Sequence, residues 1–247
     1  MRYFIELSYN GKAYHGWQNQ PNAVSVQEVL EKALTVLLGN TTPIVGAGRT
    51  DAGVHALQMF AHFDSDAVFK TTDLGYKLNS YLPKDIVVHD IFKVTAEAHA
   101  RFDAVSRTYL YRIALKKDAF SYDSAYLVKQ DLEIDKMREA SGILFEYKDF
   151  QCFSKSNTDV KTYHCNIMQC DWKLVENELQ LTIKADRFLR NMVRAIVGTM
   201  IHVGIGKIAV KDVHRIIKSK NRSEAGYSAP GHALYLTAVE YPETIKL

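Results

Sequence analysis

Apolar and polar positions along the chain fall into two successive runs of the same order. In the first, YFIELSY (3–9) alternates and is rich in strand formers. SVQEVLEKALTVLLG (25–39) places Val26, Leu30, Ala33, Leu34, Leu37 and Leu38 at helical spacing, between a Ser25/Glu28 capping box and a stop at Gly39. A short strand then leads into a glycine-rich loop. LQMFAHFD (57–64) alternates, with Met59, Ala61 and Phe63 on one face. TDLGYKLNSYL (72–82) predicts a helix ending before Pro83, and DIVVHDIFKV (85–94) predicts a strand.

The second run repeats the order. RTYLYRIAL (107–115) predicts a strand, and DLEIDKMREASGILFE (131–146) a helix with Ile134, Met137 and Leu144 in register. TYHCNIMQCDWKLV (162–175) and ELQLTIKA (178–185) predict a hairpin turning at Glu176-Asn177. FLRNMVRAIVGTMIHVG (188–204) predicts a helix, apolar at Leu189, Met192, Val193, Ile196, Val197 and Met200. ALYLTAVEYP (233–242) predicts a last strand.

Each half thus reads strand, helix, strand, strand, helix, strand, the split βαβ order of ferredoxin-like folds and of the RRM. The expected fold class is α+β. Two fused ferredoxin-like, RRM-like halves would form a continuous, mainly antiparallel sheet, with helices on one side and an RNA cleft between the halves. The expected halves are residues 1–104, with the glycine-rich loop, and 105–247, with a strand tyrosine and a basic helix.

Composition adds bounds. The chain has 247 residues, 47% hydrophobic and 24% charged, which is ordinary for a folded soluble protein. No apolar run reaches the length of a membrane span. The N-terminal MRYFIELSYNG is interrupted by Glu6 and lacks a small-residue cleavage site, so it reads as a strand and the expected location is the cytoplasm. Cys152, Cys165 and Cys170 cannot complete a disulfide framework and lack metal-ligand spacing, so buried thiols are expected. Net charge is only +3, yet residues 187–222 carry nine Lys/Arg against the single acid Asp212. That segment has a balance of +8 and the remainder −5, an asymmetry that suits either a phosphate-binding footprint or a solvated helical face. Arg187, Arg190 and Arg194, spaced by three and four, would make one basic stripe opposite an apolar helix face, able to track an RNA backbone.

Candidate chemistry centres on GAGRTDAGVHA (46–56). A Walker loop needs a lysine that is missing here. The dinucleotide pattern wants a glycine where Asp51 stands, and a carboxylate repels pyrophosphate. A turn trimmed by Asp51 is the plain alternative. Against it, glycines at 46, 48 and 53 allow a close backbone approach, and Arg49 and Asp51 share a face if the segment is extended. An arginine beside an aspartate keeps the acid ionised, which suits a nucleophile. No G-x-S-x-G or H-E-x-x-H set competes, and His55, His62, His89 and His99 lack metal spacing and read as structural. YHGWQNQ (14–20) reads equally as an RNA-contacting loop or as a surface loop anchored by a half-buried Trp17. Arg107, Tyr109 and Tyr111 alternate on one strand face. Tyr111 suits a cross-strand aromatic ladder, and an aromatic beside Arg107 suits base stacking.

Several separate stretches, GRTDAGVHA (48–56), SYNGKAYHGWQNQ, VQEVLEKAL, HARFDAVSRTYLYRI, KDFQCFSK, RFLRNMVRAIVG and YSAPGHALYLTAVEYP, fall in one order that resembles the tRNA pseudouridine synthase A (TruA) family nearly end to end. The resemblance implies that Asp51 is the catalytic nucleophile. It implies that Tyr109 stacks on the target uracil and has a role in proton removal from C5. Arg49 would occupy the place of the extruded base and pair with the aspartate, and Leu234 would line the uracil pocket. It further implies isomerisation of uridines 38 to 40 in the anticodon stem-loop, a homodimer with tRNA touching both subunits, and a reaction without metal, redox cofactor or ATP. Asn10 and Ala233 depart from the family's usual Asp and Gly, at positions that carry no chemistry.

Overall fold

The computed structural model describes residues 1–156 and 160–247. In chain order its strands and helices are β1 (Arg2–Tyr9), α1 (Val26–Leu38), β2 (Val45–Gly46), β3 (His55–Asp64), α2 (Thr71–Tyr81), β4 (Ile86–Lys93), β5 (Ser106–Ala114), β6 (Tyr126–Leu127), α3 (Ile134–Gly142), β7 (Ile167–Val175), β8 (Glu178–Ala185), α4 (Met192–Gly204), α5 (Asp212–Ser219) and β9 (Leu234–Glu240). The fold is α+β with mostly antiparallel strand pairs. The chain forms two compact units, Met1–Ser106 with Tyr235–Leu247, and Arg107–Leu234. The sequence pattern places the last strand with the second half. From Tyr235 onward it groups with the first unit, because it pairs parallel with the start of β3.

In the first unit β4, β1 and β3 lie side by side and antiparallel, and β2 pairs antiparallel with the far part of β3. This is the split βαβ order. Helix α1 forms where its caps put it: Ser25 Oγ accepts from Glu28 N at 3.1 Å, and Gly39 ends it at φ 75°. Met59, Ala61 and Phe63 sit opposite Leu7, Ile5 and Tyr3 in register. The other face of β3 is buried too, which simple alternation does not predict. Phe60 meets Phe4 and Tyr241, and His62 stacks near Phe4. The C-terminal segment supplies that cover: Tyr241 Oη donates to Ala100 O, and Thr95 N donates to Ile245 O at 3.3 Å.

In the second unit β8 pairs antiparallel with β5 on one side and β7 on the other, and β6 adds a short parallel pair to β5. The β7–β8 turn is the one expected, with Glu176 at φ 53°. Helix α3 is shorter than its periodicity predicts and finishes as a 3-10 turn, Ile143–Glu146. Helix α5 adds a short element beyond those the sequence pattern predicts, with Val213, Ile216 and Ile217 on its buried face.

The basic helix needs correcting. Helix α4 begins at Met192, because Asn191 takes φ 68° and a left-handed residue cannot continue a right-handed helix backwards. Arg187 and Arg190 therefore precede the helix, and the three arginines form no helical stripe. Nor does α4 present a polar face: all its residues except Arg194 and His202 are buried. Helix α3 covers it, and Gly226 donates its N–H to Thr199 Oγ1 at 2.8 Å.

Every buried side-chain nitrogen or oxygen among the described residues has a partner. One such group is conditional on pH. His62 is buried in the first unit and its Nδ1 accepts from Ala100 N at 3.1 Å. Burial, with Arg2 and His99 nearby outweighing Asp64 and Asp103, pushes the imidazole down to about 4 from the usual 6.5. The folded state then binds fewer protons than the unfolded chain between those values. The contribution of His62 is complete above about pH 6.5 and drains as pH falls toward 4, at up to about 1.4 kcal/mol per pH unit. Urea unfolding at pH 7, 5.5 and 4.5 should show this loss, and His62→Gln should flatten it.

Candidate active site

Asp51 lies on the loop between β2 and β3, and backbone hydrogen bonds fix the peptides on either side of it. The preceding peptide is held at Thr50 O, which accepts from Trp17 N at 3.4 Å. Thr50 Oγ1 bonds the Tyr9 hydroxyl at 2.9 Å. Asp51 O accepts from Val54 N at 3.2 Å, closing a turn through Gly53 at φ 75°, and Gly53 N donates to Tyr14 O at 3.2 Å. The loop that does this holding is residues 10–17. Gly16, at φ 92°, lies so close that a Cβ there would land on the Thr50 carbonyl. A Cβ at Gly46 would land inside the Trp17 indole. Trp17 is fully buried, so the YHGW stretch is the wall behind the glycine loop. Of the three glycines singled out in the sequence, Gly46 is there for Trp17 and Gly53 for its turn. A Cβ at Gly48 would meet nothing within 4 Å among the described residues.

Asp51 is part-exposed and Arg49 exposed. The expected Arg49–Asp51 pairing is absent: Arg49 makes no ion pair among the described residues. The shared face needed an extended segment, and Asp51 instead opens a turn. His55 has a structural place, with Nδ1 accepting from Gly11 N at 3.2 Å and its ring stacked on Tyr235 at 4.6 Å. Asn10 caps the 3-10 turn Gly11–Ala13 by accepting from Lys12 N at 3.0 Å. Tyr14 Oη donates to Asp85 Oδ1 at 2.7 Å, and burial together with that carboxylate pushes the phenol pKa up.

The second unit carries the other candidates. Tyr109, half-buried in β5, meets the edge of Phe188 with ring centroids 5.2 Å apart. Residues 186–191 are anchored by Asp186, whose Oδ1 accepts from Arg187 N at 2.7 Å and from Asn166 N at 2.8 Å, and whose carbonyl accepts from Arg107 Nη1 at 2.9 Å. Arg187 and Arg190 belong to this segment, and Arg190 is exposed. Arg194, in the first turn of α4, donates from Nε to Ala229 O at 2.6 Å. The chain leading to Leu234 is pinned again by Arg222, which donates to Gly226 O and Ser228 Oγ, both at 2.9 Å. Tyr111 is fully buried and donates to Pro230 O at 2.9 Å, so it clamps this segment, and among the described residues it joins no aromatic ladder. Leu234 itself is buried. The clamps at Asp186 and Phe188 have no local sequence signal, since each works through a partner distant in the chain.

Cys152, Cys165 and Cys170 are buried and free, and burial pushes each thiol up to about 12. Among the described residues no group of three or more His, Cys, Asp or Glu is placed to hold a metal ion, and no helix is long and apolar enough to cross a membrane.

An α+β fold presenting a part-exposed carboxylate on a backbone-braced loop has close relatives. A family model described as tRNA pseudouridine synthase matches residues 7–103 and 147–242. The chain is 52% identical over 249 residues to tRNA pseudouridine synthase A of Parabacteroides distasonis, covering 99% of this chain and 97% of that one. It is 52% identical over 246 residues to the protein of that name in Bacteroides fragilis, covering 99% and 98%. With its namesake in Bacillus licheniformis it shares 40% identity over 245 residues, covering 98% and 99%. The chain belongs to the tRNA pseudouridine synthase family. It is an isomerase that converts uridine in tRNA to pseudouridine.

The bracing of the loop makes a direct prediction. Gly16→Ala must move the Thr50–Asp51 peptide, both by contact and by its positive φ. Pseudouridine formation should fall at least about tenfold in kcat while tRNA affinity measured by filter binding stays within about threefold, since only the loop is displaced.

Proposed function

We propose that the protein modifies uridines 38, 39 and 40 in the anticodon stem-loop of tRNA, with Asp51 as nucleophile toward a flipped-out uridine. The observation that carries this reading is the fixed, part-exposed carboxylate of Asp51, at the family's motif, in a chain matched over most of its length. Asp51 attacks either the ribose C1′ or C6 of the base. The N1–C1′ bond breaks, the uracil turns, C5 bonds to C1′ as the bond to the Asp51 carboxylate is released, and the proton lost from C5 is balanced by one gained at N1. The product is an isomer of the substrate, so the sum balances without oxidant, reductant or cofactor.

The remaining residues take supporting roles. Tyr109 stacks on the uracil and has a role in removal of the C5 proton. Its hold on Phe188 keeps the ring upright. Arg49, exposed and not engaged by Asp51, is available to fill the space the base vacates, offsetting an unstacking cost of a few kcal/mol. Leu234 lines the uracil pocket as an apolar wall. Arg187 and Arg190 serve RNA phosphates from the segment before α4, with Arg194 at the helix start anchoring that region through Ala229. The enzyme works as a cytoplasmic homodimer, with one tRNA touching both subunits.

Unmodified tRNA incubated with the protein and mapped by carbodiimide and primer extension tests the proposal. Wild type should give pseudouridine at 38–40. Asp51→Asn should lose at least about a thousandfold in kcat while still binding tRNA, as expected when a nucleophile alone is removed. Product only outside the anticodon arm would overturn the target assignment. A fully active Asp51→Asn would overturn the nucleophile.

A further inference from the structure

We infer that His15 and Gln18 contact the nucleotides on either side of the target uridine and read their bases. This rests on the proposal that Asp51 attacks a flipped-out uridine.

The dipeptide Gly16-Trp17 lies directly against Thr50-Asp51, through the Trp17 N–H bond to Thr50 O and the Gly16 close approach. His15 and Gln18 bracket that dipeptide. Both are exposed, and neither side chain makes a hydrogen bond among the described residues.

The rest of the loop spends its polar groups inward. Asn19 Nδ2 donates to Glu31 Oε2 at 2.7 Å, and its Oδ1 accepts from Ser25 Oγ at 2.7 Å. Gln20 Nε2 donates to His15 O at 2.7 Å, and Gln27 Nε2 donates to Ile44 O at 3.0 Å. His15 N donates to Val24 O at 3.0 Å. These bonds fix the loop backbone before RNA arrives, so ordering it costs little on binding.

Charge says what the loop is for. YHGWQNQPN (14–22) contains no Lys, Arg, Asp or Glu. A surface meant for phosphates would carry cations. A flat imidazole and a primary amide instead suit base faces and base edges. When one nucleotide leaves the stack, its two neighbours remain at the rim of the acid's site, beside the loop that carries these side chains.

The test uses a tRNA with a single target uridine at position 39, intact or with abasic residues at its two neighbours. The variants are His15→Ala/Gln18→Ala and, should the double change unfold the protein, Gln18→Ala and His15→Gln singly. On intact tRNA the double variant should lose about tenfold in kcat/KM, the range of one or two base contacts. On the abasic tRNA wild type and variant should differ by less than about threefold, because the contact is already gone. Equal loss on both RNAs would show a structural role and overturn the inference, as would no loss on either. Wild type that forms no pseudouridine at 39 would instead overturn the functional proposal itself.

Discussion

The constraint on which the first unit depends is the contact between two backbone segments, Gly16-Trp17 and Thr50-Asp51. It leaves no room for a side chain on one partner and fixes the peptide that carries the acid on the other. The strands at its borders reinforce it. Strand β1 ends at Tyr9, whose hydroxyl holds Thr50, and β3 begins at His55, whose ring is held by Gly11 N and Tyr235. Such an arrangement fixes the loop's backbone, and backbone bonds hold placement better than exposed ion pairs do. The absence of an Arg49–Asp51 pair belongs to the same logic. Arg49 is exposed and makes no ion pair among the described residues.

The second unit solves a similar problem with polar side-chain clamps, of which Tyr111 and Thr199 are fully buried. Tyr111, Asn191, Thr199 and Arg222 all bond to residues 226–230, the approach to Leu234. A left-handed Asn191 starts α4 and puts its amide on Ser228 Oγ at 2.8 Å. Because buried polar groups are costly when unpaired, these bonds define one arrangement of that segment. Tyr109 and Phe188 then form a fixed aromatic corner on the strand face.

Charge and neutrality are divided between segments. The arginines at 187 and 190 sit on a turn segment anchored by Asp186, whereas the loop at 14–22 carries no charge at all. That division separates a cationic surface, whose field is long-ranged and salt-sensitive, from a neutral one.

Much was legible in the sequence because it is local. Capping residues placed α1, the alternation of Leu7, Ile5 and Tyr3 against Met59, Ala61 and Phe63 placed β1 and β3, and a two-residue turn placed the β7–β8 hairpin. The motif stretches also led to the family. What the sequence left undecided depends on partners far along the chain. Periodicity could not show that Phe60 and His62 are covered by the C-terminal segment, that one left-handed residue removes Arg187 and Arg190 from α4, or that the terminal strand joins the first unit. It could not choose between two readings of the loop at 14–20, because Trp17 is anchored by a glycine twenty-nine positions away in sequence. Residue type and spacing thus determined most of the elements and singled out Asp51 as the candidate acid. Tertiary packing decided what surrounds it, since burial and backbone contact are properties of the folded chain and not of any window within it.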